Sequence, residues 1–290
     1  MAGKVFRPRR SRRHSDLGEN FGVYRSIPFD EPSCSGEATS TLAPSDEAGS
    51  RRARSATSSR RSLFFGKDKT DMLSRLNSLK EEIHKPVALF ELEDHWTKIV
   101  RNADVLNKRA YEHQEAIWEF VTTEYRYLQL LKHMDELCHY FLRMQEVGYL
   151  RDIDPRRVFL NYPELYVHNT KFWQRAIMPM LQQSRSTGAP LDPKMLKAGF
   201  DCIDEWWPCY GNFIYGHTDC HTYVQKCQKE HELFREFVVW AESQDTMRRQ
   251  RLLDALTNPM QRLTRYSLLL KAVLKHSCED AEREALQVPF

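Results

Sequence analysis

One helical seam constrains this chain more than any other feature. From about Lys108 to about Val147 the sequence reads as a single long helix, with Gly148 as its stop. Within it Ile117, Val121, Glu124, Leu128 and Leu131 follow one another by steps of four, three, four and three. That alternation puts all five side chains on one face of an α-helix. Four are aliphatic and the fifth is a carboxylate. An unpaired carboxylate in a core costs several kcal/mol. The seam is therefore either open at Glu124, to solvent or to a partner, or closed there by a residue that pairs with the charge.

The rest of the chain repeats the helical theme. "DMLSRLNSLKEEI" carries Met72, Leu76, Leu79 and Ile83 at helical spacing and ends before Pro86. "ALFELEDHWTKIV" is a second, shorter amphipathic stretch. Residues 154–184 read as one or two helices interrupted near Pro163, and "STGAPLDPK" is a loop. The aromatic-rich segment around Trp206, Tyr210 and Tyr215 is helical in phase, as is "EHELFREFVVWAESQDTMRRQRLLDALT". Alternating runs bounded by hairpin turns are missing. The expected class is all-α, an elongated helical bundle over residues 108–290, with short amphipathic helices and linker over 67–107.

Residues 1–66 are rich in Ser, Arg, Pro and Gly and lack apolar periodicity, so a disordered basic tail is expected there. Arg precedes Ser15, Ser55 and Ser62 in the manner basophilic kinases prefer. Phosphate on any of them would add nearly two negative charges to a positive tail. An anionic membrane surface or a phosphopeptide-binding protein is the partner such a tail would serve.

Formal net charge is only +3 over 290 residues, which gives no case for nucleic acid. No apolar run suits a membrane span, and the first residues lack the apolar middle of a secretory signal, so a cytoplasmic protein is expected. An odd count of seven cysteines then points to reduced thiols. Cys202 and Cys209, and Cys220 and Cys227, are each seven apart, with His217 and His221 nearby. Zinc sites use tighter spacings, so buried structural thiols are the preferred reading and no metal is expected. The P-loop, the G-x-G-x-x-G turn and the G-x-S-x-G elbow are all missing, which leaves no support for bond-making chemistry.

"TNPMQRLTRYSLLLKAVLKHS" is the second informative stretch. Asn258 suits a helix N-cap and Pro259 a first helical residue. Met260, Leu263, Leu270 and Leu274 mark an apolar band. A neighbouring band carries Asn258, Gln261, Arg265, Leu268 and Ala272. For Arg262 and Arg265 the plain reading is a solvated basic face or a salt bridge within the bundle. The functional one is a recognition surface in which Arg265 fixes a carboxylate or carbonyl.

Taken together, "QEAIWEFVTTEYRYLQLL", "VFLNYPELYVHNTKFW" and "NPMQRLTRYSLLLKAVLKHS" resemble the three conserved regions of the Dbl-homology domain of Rho-family guanine-nucleotide exchange factors. "ELEDHW" ahead of them looks like the sub-group named pleckstrin-homology-domain-containing family G. The resemblance implies a Rho-family small GTPase as partner, no cofactor, and exchange without covalent chemistry. It places Glu124 against the first switch of the GTPase and Arg265, with Gln261, against the second. Asn258 lies close to the partner, Thr257 helps to select among Rho-family members, and Leu268 shares their face. Ser267 stands where the family commonly has Pro. The family's last helix continues well past the third region and supplies an interfacial Asn. Here only residues 266–290 follow Arg265, with Pro289 near the end. The domain is therefore expected to be incomplete at its C-terminus and without a pleckstrin-homology companion. A catalytically weak GTPase-binding or scaffold module is the alternative.

Overall fold

The computed structural model describes residues 54–83 and 91–286, with side chains from 66 onward. Among the described residues every regular element is a helix, and none is long and apolar enough to cross a membrane. The first, α1, runs Arg54–Ile83 and so begins inside the stretch read as a tail. Helix propagation is cheap once a turn is anchored. The anchor is the pair Met72 and Leu76, both fully buried, and the turns before it extend from there. Ser55 and Ser62 thus fall on a helical backbone, whereas Ser15 and the tail before Arg54 lie outside the described residues.

The segment read as linker is also part of the core. Trp96 is fully buried, sits edge-on to Tyr111 with ring centroids 5.1 Å apart, and donates its indole N–H to Glu115 at 2.9 Å. Ile99 and Val100 are buried beside it. The Arg101 backbone N–H reaches the carbonyl of Gly188 at 2.8 Å. Gly188 is held at φ +73°, and a Cβ there would meet the Arg101 side chain at 2.4 Å.

Helix α2, Lys108–Glu146, is the central element and packs against α4 (Tyr162–Phe172) and α10 (Asn258–His276). Its bounds are those the sequence implies. Asn107 caps it, accepting from the Ala110 N–H at 2.9 Å, and Gly148 leaves it at φ +104°. Between α2 and α4, α3 spans Pro155–Phe159. The break before α4 falls at Leu160, which has positive φ, and Pro163 sits in the first turn of α4 instead of interrupting it. A π-helical turn, Trp173–Ile177, leads into α5, Met178–Thr187. Then α6 (Lys197–Phe200) brings Gly199 against that turn, where a Cβ would lie 2.6 Å from the Phe172 ring and 2.9 Å from the Ala176 Cβ.

Helix α7, Ile203–Glu230, carries the aromatic run, with Trp206, Tyr210 and Phe213 buried and Trp207 and Tyr215 exposed. It is followed by α8 (Glu232–Glu242), α9 (Leu252–Ala255), α10 and α11 (Asp280–Ala285). The N-cap of α10 is Thr257, one residue before the expected Asn258. Asn258 is already helical and its amide donates back to the carbonyls of Asp254 and Ala255 at 3.1 and 3.2 Å. That contact splices α9 onto α10 with almost no loop, which displaces the cap.

Cys209, Cys220 and Cys227 are buried along α7, as is Cys138 on α2. Burial pushes the thiols of Cys138, Cys209 and Cys220 up to about 12. Thiolate, the reactive form, is then scarce at pH 8. Iodoacetamide at pH 8 should label the exposed Cys278 in the native protein, and these three only after denaturation, as read by peptide mass spectrometry. A second prediction concerns the close approach at α6. Gly199→Ala overpacks Phe172 and should cost about 1–3 kcal/mol of stability in a urea melt.

Candidate functional site

Both readings of the acidic seam can now be judged. Ile117, Val121, Glu124, Leu128 and Leu131 are all buried, and Glu124 is 0% exposed. The seam is closed at the carboxylate, so the expectation of an opening there is corrected. The charge is paired from across the bundle. Arg262 on α10 donates to Glu124 Oε2 from Nε at 2.9 Å and also from Nη2, while its Nη1 donates to Thr123 Oγ1 at 3.0 Å. Tyr266, one turn further on α10, donates its hydroxyl to the same carboxylate, 2.9 Å from Oε2 and 3.1 Å from Oε1. A fork of this kind, with both carboxylate oxygens satisfied, is what makes a buried ion pair tolerable.

Aromatic rings and an amide complete the surroundings. The Arg262 guanidinium lies 4.5 Å from the Tyr266 ring centroid, with Phe120 and Tyr127 at 5.6 and 5.9 Å. Tyr210 of α7 donates to Asn169 Oδ1 of α4 at 3.1 Å and lies 3.0 Å from the Tyr127 hydroxyl. The Asn169 amide closes on the Leu165 carbonyl at 2.7 Å. Four helices thus meet at one polar knot. Burial alone would push the Arg262 guanidinium down, but Glu124 and Tyr266 together more than reverse this and hold it above its usual range. Burial first, and the Glu124 charge second, keep the Tyr266 phenol well above the usual tyrosine range. At neutral pH the knot is therefore a cation and protonated phenols donating to acceptors.

On α10 the inward face is Pro259, Arg262, Tyr266, Leu269, Leu270 and Val273. The apolar band expected at Met260, Leu263, Leu270 and Leu274 is accordingly rotated: Met260 is exposed, and Leu263 and Leu274 are half-buried. The rotation is set by Arg262, which must face Glu124. Its consequence is that Gln261, Arg265 and Leu268 face solvent, with Thr257 and Asn258 partly open above them. Leu268 is 64% exposed, an isolated large apolar side chain beside a guanidinium. Arg265 touches Glu119 at 3.4 Å with both side chains about half exposed, a surface pair of little strength that a partner can displace.

An open groove of about 390 Å³ runs beside this face. Thr123, Arg126 and Gln129 of α2 form one side, Asn258, Gln261 and Arg265 of α10 another, and Thr246, Met247, Arg248 and Gln250 the third. Arg262 reaches its floor, and its lining holds four guanidiniums and no carboxylate. Glu124 lies below that floor, out of contact with solvent. The expected site residues therefore separate into two sets. Thr257, Asn258, Gln261, Arg265 and Leu268 share a surface, and Glu124 is the buried root beneath it.

Arg262, Tyr266 and Asn169 were not among the expected site residues. The signal for the first two was present: stepping back from Leu269 by three and by seven lands on Tyr266 and Arg262. A charge in one apolar seam calls for its opposite in the facing seam.

Comparison with known proteins matches this geometry to a family. A family model described as RhoGEF domain matches residues 116–288. Pleckstrin homology domain-containing family G member 6 of Mus musculus is 36% identical over 196 residues, 67% of this chain and 25% of that protein. Member 5 of the same family from Homo sapiens is 33% identical over 202 residues, 69% of this chain and 20% of that protein. The chain thus spans a quarter or less of the length of these two relatives. Among solved structures, the DH/PH domains of p115-RhoGEF superpose with a TM-score of 0.58 at 26% identity, covering 67% of this chain and 53% of that one. The DH/PH fragment of PDZRHOGEF, solved in complex with human RhoA, gives 0.57 at 26% identity, covering 66% and 54%.

The buried pair yields a direct test. Arg262→Ala strands the Glu124 carboxylate and should cost about 3–5 kcal/mol in a chemical melt. The double variant Glu124→Leu/Arg262→Met removes both charges and should be more stable than Arg262→Ala by at least about 1 kcal/mol.

Proposed function

The chain belongs to the RhoGEF domain family, and from that premise we propose that it is a guanine-nucleotide exchange factor for a Rho-family small GTPase, gripping its switch regions with the outward face of α10 and the groove beside it. The observation that carries this reading is the solvent-facing row Thr257, Asn258, Gln261, Arg265 and Leu268 on a helix locked to α2 by the Glu124–Arg262 pair. A recognition surface works best on a rigid element, because little side-chain and backbone freedom is lost on binding. The row offers a guanidinium, two amides and a hydroxyl to backbone and carboxylate acceptors, and Leu268 to an apolar hollow. RhoA is the partner held by the PDZRHOGEF fragment of the same fold, which makes it the first GTPase to try.

Such a protein makes and breaks no covalent bond. GDP bound with picomolar affinity is held by about −16 kcal/mol. The exchange factor binds the nucleotide-free GTPase more tightly than the loaded form, and by linkage nucleotide weakens its grip by the same factor. In this reading Arg265 and Gln261 hold the second switch. Glu124 serves the first switch as a positioning residue: it fixes Arg262 and Tyr266, and these set the floor and the angle of the face.

The assay is release of fluorescent GDP from RhoA and from other Rho-family GTPases on adding the purified chain. Acceleration is expected for at least one. Arg265→Glu with Leu268→Asp should reduce it by at least about tenfold, the worth of one or two interfacial contacts, without lowering the melting temperature. Glu124→Ala should lower both release and melting temperature. Binding to the nucleotide-free GTPase without acceleration would make the chain a binding module, and neither binding nor acceleration would refute the reading.

A further inference from the structure

We propose that α1 is a brace for the third side of the groove and so regulates how firmly the groove holds its partner; this rests on the groove being the contact surface. All of α1 lies ahead of the family-matched residues 116–288, yet it is wedged against α2 and α8. Met72 and Leu76 are fully buried there. Lys69 Nζ meets Glu236 of α8 at 2.7 Å, and the Tyr149 hydroxyl donates to Asp71.

The decisive contact is at Trp240 of α8. Its indole N–H donates to Asn77 Oδ1 of α1 at 2.8 Å, and its ring is edge-on to Tyr140 of α2 with centroids 5.5 Å apart. Its backbone carbonyl accepts from Ser243 Oγ and from Gln244 Nε2, both at 2.7 Å. Those two residues open the segment that becomes the groove wall. A single residue therefore holds α1 with its side chain and the start of the wall with its main chain.

The wall itself is strained. Arg248 and Arg249 both have positive φ, 49° and 65°, a conformation that side-chain-bearing residues adopt only when their surroundings impose it. The side chain of Met247 anchors the segment in the core, and a few hydrogen bonds hold it on either side. Thr246 Oγ1 lies 2.9 Å from His133 Nδ1, Arg248 donates to Gln129 at 2.9 Å, and the Leu252 N–H donates to Glu242 at 2.9 Å. The first two tie the wall to α2 and the third ties its end to α8, so the wall bridges the two helices that α1 also packs against. A helix attached by one apolar ridge and a few surface contacts belongs to the low-stability end of a fold. Whatever lifts α1 slackens α8, lets the two arginines relax, and removes one side of the groove.

The test uses the whole chain and three variants: Asn77→Leu and Trp240→Phe, which each delete the indole hydrogen bond, and Leu76→Asp, which undocks α1. Amide hydrogen exchange is followed over 245–251, with 117–131 as internal reference, alongside release of fluorescent GDP from RhoA. Asn77→Leu and Trp240→Phe should each speed exchange of the wall amides by about fivefold, the worth of one hydrogen bond. Combined they should do no more than either alone, because they remove the same bond. Leu76→Asp should exceed both, the reference amides should be unchanged, and GDP release should slow in the same order. Should Leu76→Asp fail to fold, the first two decide. Unchanged wall amides in both would overturn the brace. Faster wall amides with unaltered GDP release would overturn its regulatory role. A wild-type chain that never accelerates release would instead refute the exchange-factor reading, and the amide comparison would still decide the coupling.

Discussion

Everything in this molecule turns on a carboxylate that has no water. Glu124 sits in the middle of the longest apolar seam and is tolerable there only because Arg262 and Tyr266 reach it from α10. The desolvation of such a pair is expensive, and the geometry that offsets it is narrow. Two helices can satisfy it in one relative rotation and one axial register. The pair thus acts less as a source of stability than as an alignment pin. With about 100° between successive helical residues, turning Arg262 and Tyr266 inward leaves Gln261, Arg265 and Leu268 pointing out. The buried pair and the exposed face are two consequences of one constraint.

This explains how much of the architecture was legible in the residues. The span of helix α2 was readable, because Gly148 and the periodicity ahead of it are local signals, whereas its cap, Asn107, emerged only in the structure. The ordered motifs shared with the RhoGEF family were readable for the same reason. The rotation of α10 was not, because it depends on a charge more than a hundred residues away in sequence. By pattern alone Met260 and Leu263 looked as apolar as Leu269 and Leu270, and Arg262 looked like Arg265. The start of α1 was hidden as well: Ser and Arg residues that read as a tail become helical when an anchor further along is docked. Met72 belonged to a readable amphipathic stripe, but Trp96 gave no sign that it belongs to the core, since an apolar residue in a short amphipathic stretch fits a linker equally well.

The domain's working parts extend beyond the segment that the family model matches. Residues ahead of 116 supply Met72, Leu76, Trp96 and Val100 to the core, and α1 shares Trp240 with the wall of the groove. If the groove is the contact surface proposed above, that surface is only as definite as its least supported side. Here α2 and α10 are pinned by an ion pair, whereas the third side is a strained loop tied down at its edges.

On the proposed reading the partner covers α10 and leaves the aromatic ridge of α7 bare. Hydroxyl-radical footprinting with and without nucleotide-free RhoA measures this directly, since Leu268 at 64% and Tyr215 at 94% exposure are both reactive in the free chain. The account predicts that Leu268 is shielded in the complex while Tyr215 and Trp207 keep their reactivity. Shielding of Tyr215 and Trp207 with Leu268 unprotected would contradict it.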